Sequence, residues 1–145
     1  MSFSNFQFSK PLLTKSRFEM NGVSGEQNKE ININLKRNIL RLEGQNKALV
    51  ELTVEMNQRD GAVIEGTFFF GEFTMQSMFT WDSSLADSQV DSFLNYNAPA
   101  LLISYIRPHV SLVSSMSPAG QCDIPYINVL ELFKPAAEKQ CDRGT

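Results

Sequence analysis

The sequence predicts a two-layer α+β fold: a four-stranded antiparallel sheet (a meander), then a long kinked helix, a loop and a short C-terminal helix. This fold class is predicted by a change in the spacing of apolar residues at Trp81. Before Trp81, apolar and polar residues alternate with the period of two that half-buried strands show; after Trp81 the apolar spacing becomes three and four, which is typical of helices. The 145 residues contain no repeat or linker, so we expect one domain over residues 1–145.

Residues 1–80 form the predicted sheet. The first strand begins at Phe6 and resumes after a break at Pro11. The second strand covers residues 31–35, and the third covers residues 50–56, where the alternation is the cleanest in the chain.

The fourth predicted strand, residues 63–75, follows a strong hairpin signal at Asp60-Gly61. Unlike the other strands it is apolar on both faces, and five of the chain's eleven phenylalanines lie between Phe68 and Phe79. A strand of this kind is covered on both sides. We therefore expect the protein's own helix to cover one face and a partner to cover the other.

A long helix is predicted over residues 84–117. Two apolar stripes recur there: Val90, Leu94, Asn97, Leu101 and Tyr105 in one, and Leu102, Ile106, Val110 and Val113 in the other. A helix that is apolar on two sides is sandwiched rather than laid on a surface. Pro99 and Pro108 each remove a backbone donor, so we expect a kink or two joined segments.

The C-terminal region is predicted as a loop over residues 118–128 and a short helix over residues 129–140. Asn128 and Glu131 have the spacing of a capping box at the start of this helix. Residues 141–145 are expected to be a frayed tail.

The charge distribution disfavours nucleic acid as a partner, because 16 acidic residues outnumber 13 basic residues and the net charge is −3. Residues 61–133 carry Arg107 alone against seven acidic residues. This acidic region is either a solvated face beside a core or a docking surface for a basic partner.

The N-terminus and the cysteines indicate a cytoplasmic protein. Residues 1–10 lack the basic and apolar regions of a signal peptide, and the longest apolar stretch, residues 98–106, is about half of the ~20 residues that a membrane span requires. Cys122 and Cys141 form no short-spaced metal or redox motif. We expect no membrane insertion and two reduced thiols.

Residue types that carry catalysis are scarce. His109 is the only histidine and has no acidic residue near it in sequence, and neither cysteine lies in a nucleophile signature. One histidine and two cysteines give no metal-ligand spacing. Residues 61–67 resemble the start of a phosphate loop, but Thr67 stands where the lysine is required. The sequence predicts a binding protein rather than an enzyme, with no catalytic residue, metal or cofactor.

Residues 97–107 read Asn-Ala-Pro-Ala-Leu-Leu-Ile-Ser-Tyr-Ile-Arg and resemble the long helix of the SecB family of protein-export chaperones. That helix has an interior proline, then Leu, then Tyr-x-Arg at this spacing. Residues 124–129, Ile-Pro-Tyr-Ile-Asn-Val, resemble the family's proline-containing loop, which leads into its last helix through an Asn. The pattern runs without gaps from Pro99 to Phe133, about a quarter of the chain. The family often carries a second proline before the Tyr, where this chain has Ser104.

The resemblance implies a homotetramer, a dimer of dimers in which sheets pair across subunits and long helices pack between dimers. It implies unfolded preproteins as clients, held in apolar grooves and delivered to the SecA motor of the Sec translocase. The family docks SecA through acidic residues on the strand face. Here Glu19 is retained, Gly66 occupies one of those positions, and Lys15 or Ser16 occupies another. The family also includes SecB-like chaperones that protect an antitoxin from aggregation, and the sequence does not separate the two roles.

Candidate residues follow from this combined interpretation. The client-binding candidates are Phe68, Phe70, Met78, Phe79, Ile124, Tyr126, Ile127 and Phe133. The oligomer-interface candidates are Val90, Phe93, Leu94, Leu101 and Tyr105. Arg107 is expected to pair with an acidic group or a carbonyl. The alternative from another class is a small-molecule-binding or structural α+β oligomer, whose aromatic face closes over a ligand or a dedicated subunit.

Overall fold

A computed structural model describes residues 6–21, 31–125 and 127. In this part of the chain the strands are β1 (Phe6–Phe8), β2 (Leu12–Met20), β3 (Ile33–Arg41), β4 (Lys47–Met56), β5 (Gln58–Arg59), β6 (Ala62–Val63) and β7 (Phe69–Trp81). A helical segment follows, made of α1 (Asp87–Ser92), a π-helical turn (Phe93–Asn97) and α2 (Ala98–Ser115). An antiparallel sheet followed by a long helix confirms the predicted α+β class.

The main sheet is antiparallel, with β7 between β4 on one side and β1 and β2 on the other, and with β3 as the far edge beside β4. β7 is 13 residues long. Its free edge therefore accommodates β1 opposite residues 79–81 and β2 opposite residues 69–76. β1 and β2 act as one edge strand that is broken near Pro11. β5 and β6 form a separate two-stranded hairpin.

The connectivity differs from the predicted meander of four strands. β3, β4 and β7 follow one another as a meander, but the N-terminal strand lies beside β7 and not beside β3. Aromatic packing accounts for this placement. Phe6 stacks on Phe93 of the π turn with ring centroids 3.8 Å apart, and Phe18 of β2 stacks on Phe69 of β7 at 5.1 Å. Burying these rings favours the β7 edge over the basic edge strand β3.

One face of the sheet packs against α2 and forms the core. β4 contributes every second residue from Ala48 to Met56, each of them 0% exposed, as its alternation predicts. β7 contributes Phe73, Met75 and Phe79 from the same face.

The buried stripe of the helical segment differs from the predicted one. Buried residues recur every four positions: Val90, Leu94, Ala98, Leu102, Ile106, Val110 and Ser114. In a regular helix of about 3.6 residues per turn, Leu102 would be about 120° round the axis from Val90. The π turn, in which the Ala98 N–H donates to the Phe93 carbonyl oxygen, inserts about one residue and reduces that angle to about 20°. Leu101 and Tyr105 therefore do not share the stripe of Val90.

Pro99 lies two residues after the π turn, at the start of α2. A proline inside a helix offers no N–H to the carbonyl four residues earlier, here that of Asn95, and its ring clashes with that carbonyl. Nη1 of Arg37, on β3, donates to the Asn95 carbonyl oxygen instead. The break predicted at Pro99 is thus two helical segments joined by a π turn, whereas α2 continues through Pro108.

Beyond α2, residues 117–125 and 127 contain neither helix nor strand, in agreement with the loop predicted from residue 118. The Cys122 N–H donates to Ser114 Oγ at 2.8 Å, and Arg107 Nη2 donates to the Pro125 carbonyl oxygen at 2.7 Å. These bonds tie the loop to α2, and the second one confirms the expected carbonyl partner of Arg107. The predicted helix 129–140 and tail 141–145 lie outside the described residues.

Candidate functional site

A row of apolar side chains crosses the sheet face that points away from α2. Leu40 of β3 lies opposite Leu49 of β4, which lies opposite Met78 of β7. Leu40 is 57% exposed, and Leu49 and Met78 are half-buried. Leu12 of β2, 55% exposed and opposite Gln76, extends the row diagonally. We call Leu12, Leu40, Leu49 and Met78 the outer-face row.

Two members of the row are out of phase with the alternation of their strands. Ile39 and Val50 point towards α2, so Leu40 and Leu49 occupy positions where a solvent-facing polar residue is expected. The turn between the strands contains Gly44 with φ of 73°, a conformation that suits glycine. The sequence interpretation missed both leucines, although apolar residues out of phase on either side of a glycine turn were a usable signal.

A polar network centred on Glu55 occupies another part of the outer face. The Glu55 carboxylate accepts hydrogen bonds from the side-chain amides of Gln58 and Asn34 and from the N–H groups of Asp60 and Gly61, at 2.7 to 2.9 Å. Burial acts to raise the pKa of Glu55, but the hydrogen bonds outweigh it and lower that pKa to about 2.

Charged residues of β2 and β7 complete this face. Lys15 Nζ lies 2.8 Å from Glu72 Oε2, and its hydrogen bond lowers the pKa of Glu72. Arg17 forms an ion pair with Glu19, and its guanidinium lies 5.1 Å from the ring centroid of Phe70. The outer-face row is therefore an apolar strip on a face that is otherwise charged and hydrogen-bonded.

A second exposed apolar surface lies where α2 meets the edge formed by β1 and β2. The Tyr105 ring stands edge-on to the Phe8 ring at 6.5 Å, and both side chains are more than 40% exposed. Leu13 of β2 is 39% exposed, Leu112 of α2 is 62% exposed, and Met116, just after α2, is 75% exposed. We call Phe8, Leu13, Tyr105, Leu112 and Met116 the helix-edge surface.

Three of the predicted client-binding residues retain access to solvent. Met78 lies in the outer-face row, and Phe68 and Ile127 are partly buried against the core. Tyr126 and Phe133 lie outside the described residues.

The other client-binding candidates are buried in this chain. Phe79 and Ile124 are 0% and 5% exposed and belong to the core. Phe70 is 8% exposed beneath Arg17. These three side chains are occupied by contacts within the chain and offer little surface to a client.

The predicted oligomer-interface residues also divide into two groups. Tyr105 belongs to the helix-edge surface, and Leu101 is half-buried on the same side of α2. Val90 and Leu94, each 1% exposed, face the sheet, and Phe93 is half-buried against β1. The π turn is the reason, because it rotates α2 so that the two groups face different ways.

Groups with chemical reactivity serve structural contacts. His109 Nε2 lies 2.8 Å from Ser16 Oγ, which joins α2 to β2, and the His109 ring stands edge-on to Phe73. Burial raises the pKa of the Cys122 thiol. Across residues 6–21, 31–125 and 127, no group of three or more His, Cys, Asp or Glu side chains is placed to hold a metal ion. In the same part of the chain, no helix has the length and apolar character needed to cross a membrane.

No protein-family model and no curated protein matches the chain. Among solved structures, the chain is similar to the SecB-like chaperone Rv1957 of Mycobacterium tuberculosis, solved in complex with a ChAD peptide from the Rv1956 HigA1 antitoxin. The TM-score is 0.68 over 86% of this chain and 91% of that chain, at 9% sequence identity. A protein of unknown function from Streptococcus agalactiae gives a TM-score of 0.48 at 10% identity, over 83% of this chain and 97% of that one. The chain has the fold of a SecB-like chaperone.

Proposed function

We propose that the protein is a SecB-like chaperone that binds unfolded polypeptides in extended form, without ATP and without an enzymatic step. The observation that carries this proposal is the outer-face row, where Leu12 and Leu40 are exposed and Leu49 and Met78 are half-buried on one sheet face of a SecB-like fold. An exposed apolar strip bordered by polar groups is typical of an interaction surface. Methionine, which is flexible and polarisable, adapts to side chains of different shapes.

The energetics suit a binder of many different segments. Burying about 400 Å² of apolar surface at ~25 cal/mol per Å² yields roughly 10 kcal/mol before costs. Ordering the client and the chaperone side chains offsets much of this gain. A single row therefore binds weakly, and several rows in one assembly raise the affinity through multivalency. Folded proteins bury their apolar segments, so the row selects unfolded chains without reading a particular sequence.

We assign the helix-edge surface to self-association into a homotetramer, a dimer of dimers. Tyr105 and Leu112 are seven residues apart and share one side of α2, a helix in which Arg107 is the only charged residue. A helix face that is apolar and almost uncharged suits burial against the same face of a second copy.

Two kinds of client are candidates. An antitoxin-type client is supported by the similar Rv1957 chaperone, which was solved with an antitoxin peptide. Export of preproteins in the cytoplasm, with delivery to SecA, is the interpretation that the sequence resemblance favours. The ion pairs Lys15–Glu72 and Arg17–Glu19 neutralise acidic groups on the face where SecA docking is expected. These pairs favour the dedicated client over SecA delivery.

The test of the chaperone proposal is aggregation of a refolding protein, followed by light scattering without nucleotide. We expect suppression at sub-stoichiometric amounts of tetramer, and weaker suppression by the Leu40→Ser, Met78→Ser double variant. No suppression at an excess of tetramer would instead favour the small-molecule-binding or structural class. A neighbouring toxin–antitoxin gene pair would identify the antitoxin as the first client to test.

A further inference from the structure

We propose that Arg37 is a positioning residue, which holds the π turn and thereby determines which side chains of α2 face outward. The functional importance of those side chains rests on the proposed function, because they form the helix-edge surface. The effect of Arg37 on the orientation of α2 can be measured in the protein by itself, without a client.

The carbonyl oxygen of Asn95 is the group that needs a substitute donor. Pro99 has no N–H with which to complete the helical hydrogen bond to it. Arg37 Nη1 donates to this oxygen from β3, and the Arg37 guanidinium also lies 5.6 Å from the ring centroid of Tyr96. Asn95 Nδ2 donates to the Asp91 carbonyl oxygen at 2.7 Å. Arg37 therefore contacts two consecutive residues of the turn, one of which is bonded back to α1.

The orientation of α2 depends on this turn. With the turn, Val90 and Leu102 are about 20° apart around the axis and both are buried. Without the turn they would be about 120° apart. Keeping Val90 in the core would then turn Tyr105 towards the sheet and Ile106 outward. The π turn thus places Tyr105, 43% exposed, on the helix-edge surface, and keeps Ile106, 0% exposed, in the core.

Arg41 provides a matched control on the same strand. It lies four residues further along β3, on the same face as Arg37. Its Nη1 is 2.8 Å from Asp91 Oδ1, and its guanidinium lies 5.3 Å from the ring centroid of Trp81. Arg41, like Arg37, therefore has a hydrogen-bond partner and an aromatic partner, but its partners belong to α1 and β7 rather than to the π turn.

Cysteine reactivity measures the orientation of α2. Tyr105→Cys and Ile106→Cys are introduced separately into a Cys141→Ser background, in which Cys122 stays buried, and maleimide labelling rates are compared under native conditions. Losing a charge-assisted hydrogen bond changes a local equilibrium about tenfold. We expect Arg37→Gln to raise the labelling rate at position 106 relative to position 105 by about that factor. Arg41→Gln should leave the ratio close to that of the parent. An unchanged ratio in Arg37→Gln would overturn the proposal.

A regularised helix distinguishes positioning from general stabilisation. Pro99→Ala combined with deletion of Asn97 restores the missing donor and removes the inserted residue, so that Val90 and Leu102 stay in phase without a π turn. In this background Arg37→Gln should no longer alter the labelling ratio. If Arg37→Gln alters the ratio equally in both backgrounds, Arg37 acts by another route and the proposal fails. If the regularised chain does not fold, amide hydrogen exchange at residues 93–103 is compared between Arg37→Gln and Arg41→Gln. Only Arg37→Gln should speed exchange there, and equal exchange in the two variants would overturn the proposal.

The labelling result and the chaperone result are separable. A shifted ratio with unchanged self-association and aggregation suppression would support the positioning role and contradict the assigned function of the helix-edge surface. An unchanged ratio in a working chaperone would overturn the positioning role and leave the proposed function intact.

Discussion

The side-chain amide of Gln58 donates to the carboxylate of Glu55, with 2.9 Å between Nε2 and Oε2. Glu55 is 0% exposed, yet it is ionised, because the N–H groups of Asp60 and Gly61 and the amide of Asn34 also point at it. The carboxylate thus fastens the β5–β6 hairpin to the end of β4. The pKa of Glu55 is about 2 in the folded chain, whereas an unperturbed glutamate has a pKa of about 4.3.

The Glu55 contacts predict a specific loss of stability in acid. A carboxyl group whose pKa is lower in the folded state stabilises the fold above its unfolded pKa, and this stabilisation disappears as the pH falls through the folded pKa. We expect Glu55→Gln to lower the free energy of unfolding at pH 7 by about 1.5–3 kcal/mol. The variant should also lose less stability than the parent as the pH falls from about 4.3 to about 2. Urea unfolding across this pH range measures both effects.

Glu65→Gln is the matched control, because Glu65 is exposed. It should change the free energy of unfolding at pH 7 by less than about 0.5 kcal/mol. Curves for Glu55→Gln and the parent that run parallel down to pH 2 would contradict the assigned role of Glu55.

The junction between α2 and the following loop depends on the buried hydroxyl of Ser114. Its Oγ accepts from the Cys122 N–H at 2.8 Å and donates to the Val110 carbonyl oxygen at 2.7 Å. Ser114→Ala leaves a buried N–H without this partner, so we expect the free energy of unfolding to fall by about 1–3 kcal/mol. Ser115→Ala, at the exposed neighbouring position, should change it by less than about 0.5 kcal/mol. If Ser114→Ala and Ser115→Ala lower the free energy of unfolding equally in urea, the assigned role of Ser114 is wrong.

The two apolar surfaces are separable by a crossed pair of substitutions. Leu40 and Leu112 are 57% and 62% exposed in the single chain, so neither belongs to its core and replacing either by Ser should leave the chain folded. Leu112→Ser should lower the mass measured by light scattering, which we expect to be near four times 16.3 kDa in the parent. Leu40→Ser should leave that mass unchanged and weaken aggregation suppression, with about tenfold lower affinity for a client peptide.

If Leu40→Ser lowers the mass and Leu112→Ser weakens aggregation suppression, the outer-face row is the self-association surface and the helix-edge surface binds the client. A monomeric parent protein would remove the assigned role of the helix-edge surface altogether.

Cys122 is predicted to be a slowly reacting thiol. Its side chain is 8% exposed, burial raises the pKa of the thiol, and Sγ lies 3.4 Å from the Gly120 carbonyl oxygen. In a Cys141→Ser variant at pH 7, we expect iodoacetamide to label the folded chain at least about tenfold more slowly than the chain in urea. Similar rates in the two conditions would show that the loop opens freely.

The strands and the helix could be predicted because their side-chain periods are local properties of the sequence. The alternation from Val50 to Met56 is a property of one strand, and all four of its apolar members lie in the core. The order of the strands could not be predicted in this way, because alternation defines the face of a strand and not its neighbour. Contacts between residues distant in sequence, such as the stacking of Phe6 on Phe93, determine which strand lies beside which.

The candidate site was predicted in part for a related reason. Met78 and Tyr105 were identified, but Val90 and Leu94 were placed beside Tyr105 because a period of about 3.6 was extended through Pro99. Pro99 marks where the helix changes, while the rotation comes from the residue that the π turn inserts, and the donor to the Asn95 carbonyl oxygen in that turn is Arg37 from another strand. Leu40 and Leu49 were missed because each was read within its own strand, and they form a row only when the hairpin pairs them.

The outer-face row runs across the strands rather than along them, and its three directly paired members span about 10 Å over three strands. A peptide lying along it would cross the strands nearly at right angles, so its backbone could not enter the hydrogen-bonding ladder of the sheet. No register or chain polarity would then be imposed on it. The same surface could receive a segment running in either direction, and successive segments of one long chain could replace each other there without any part of the sheet opening.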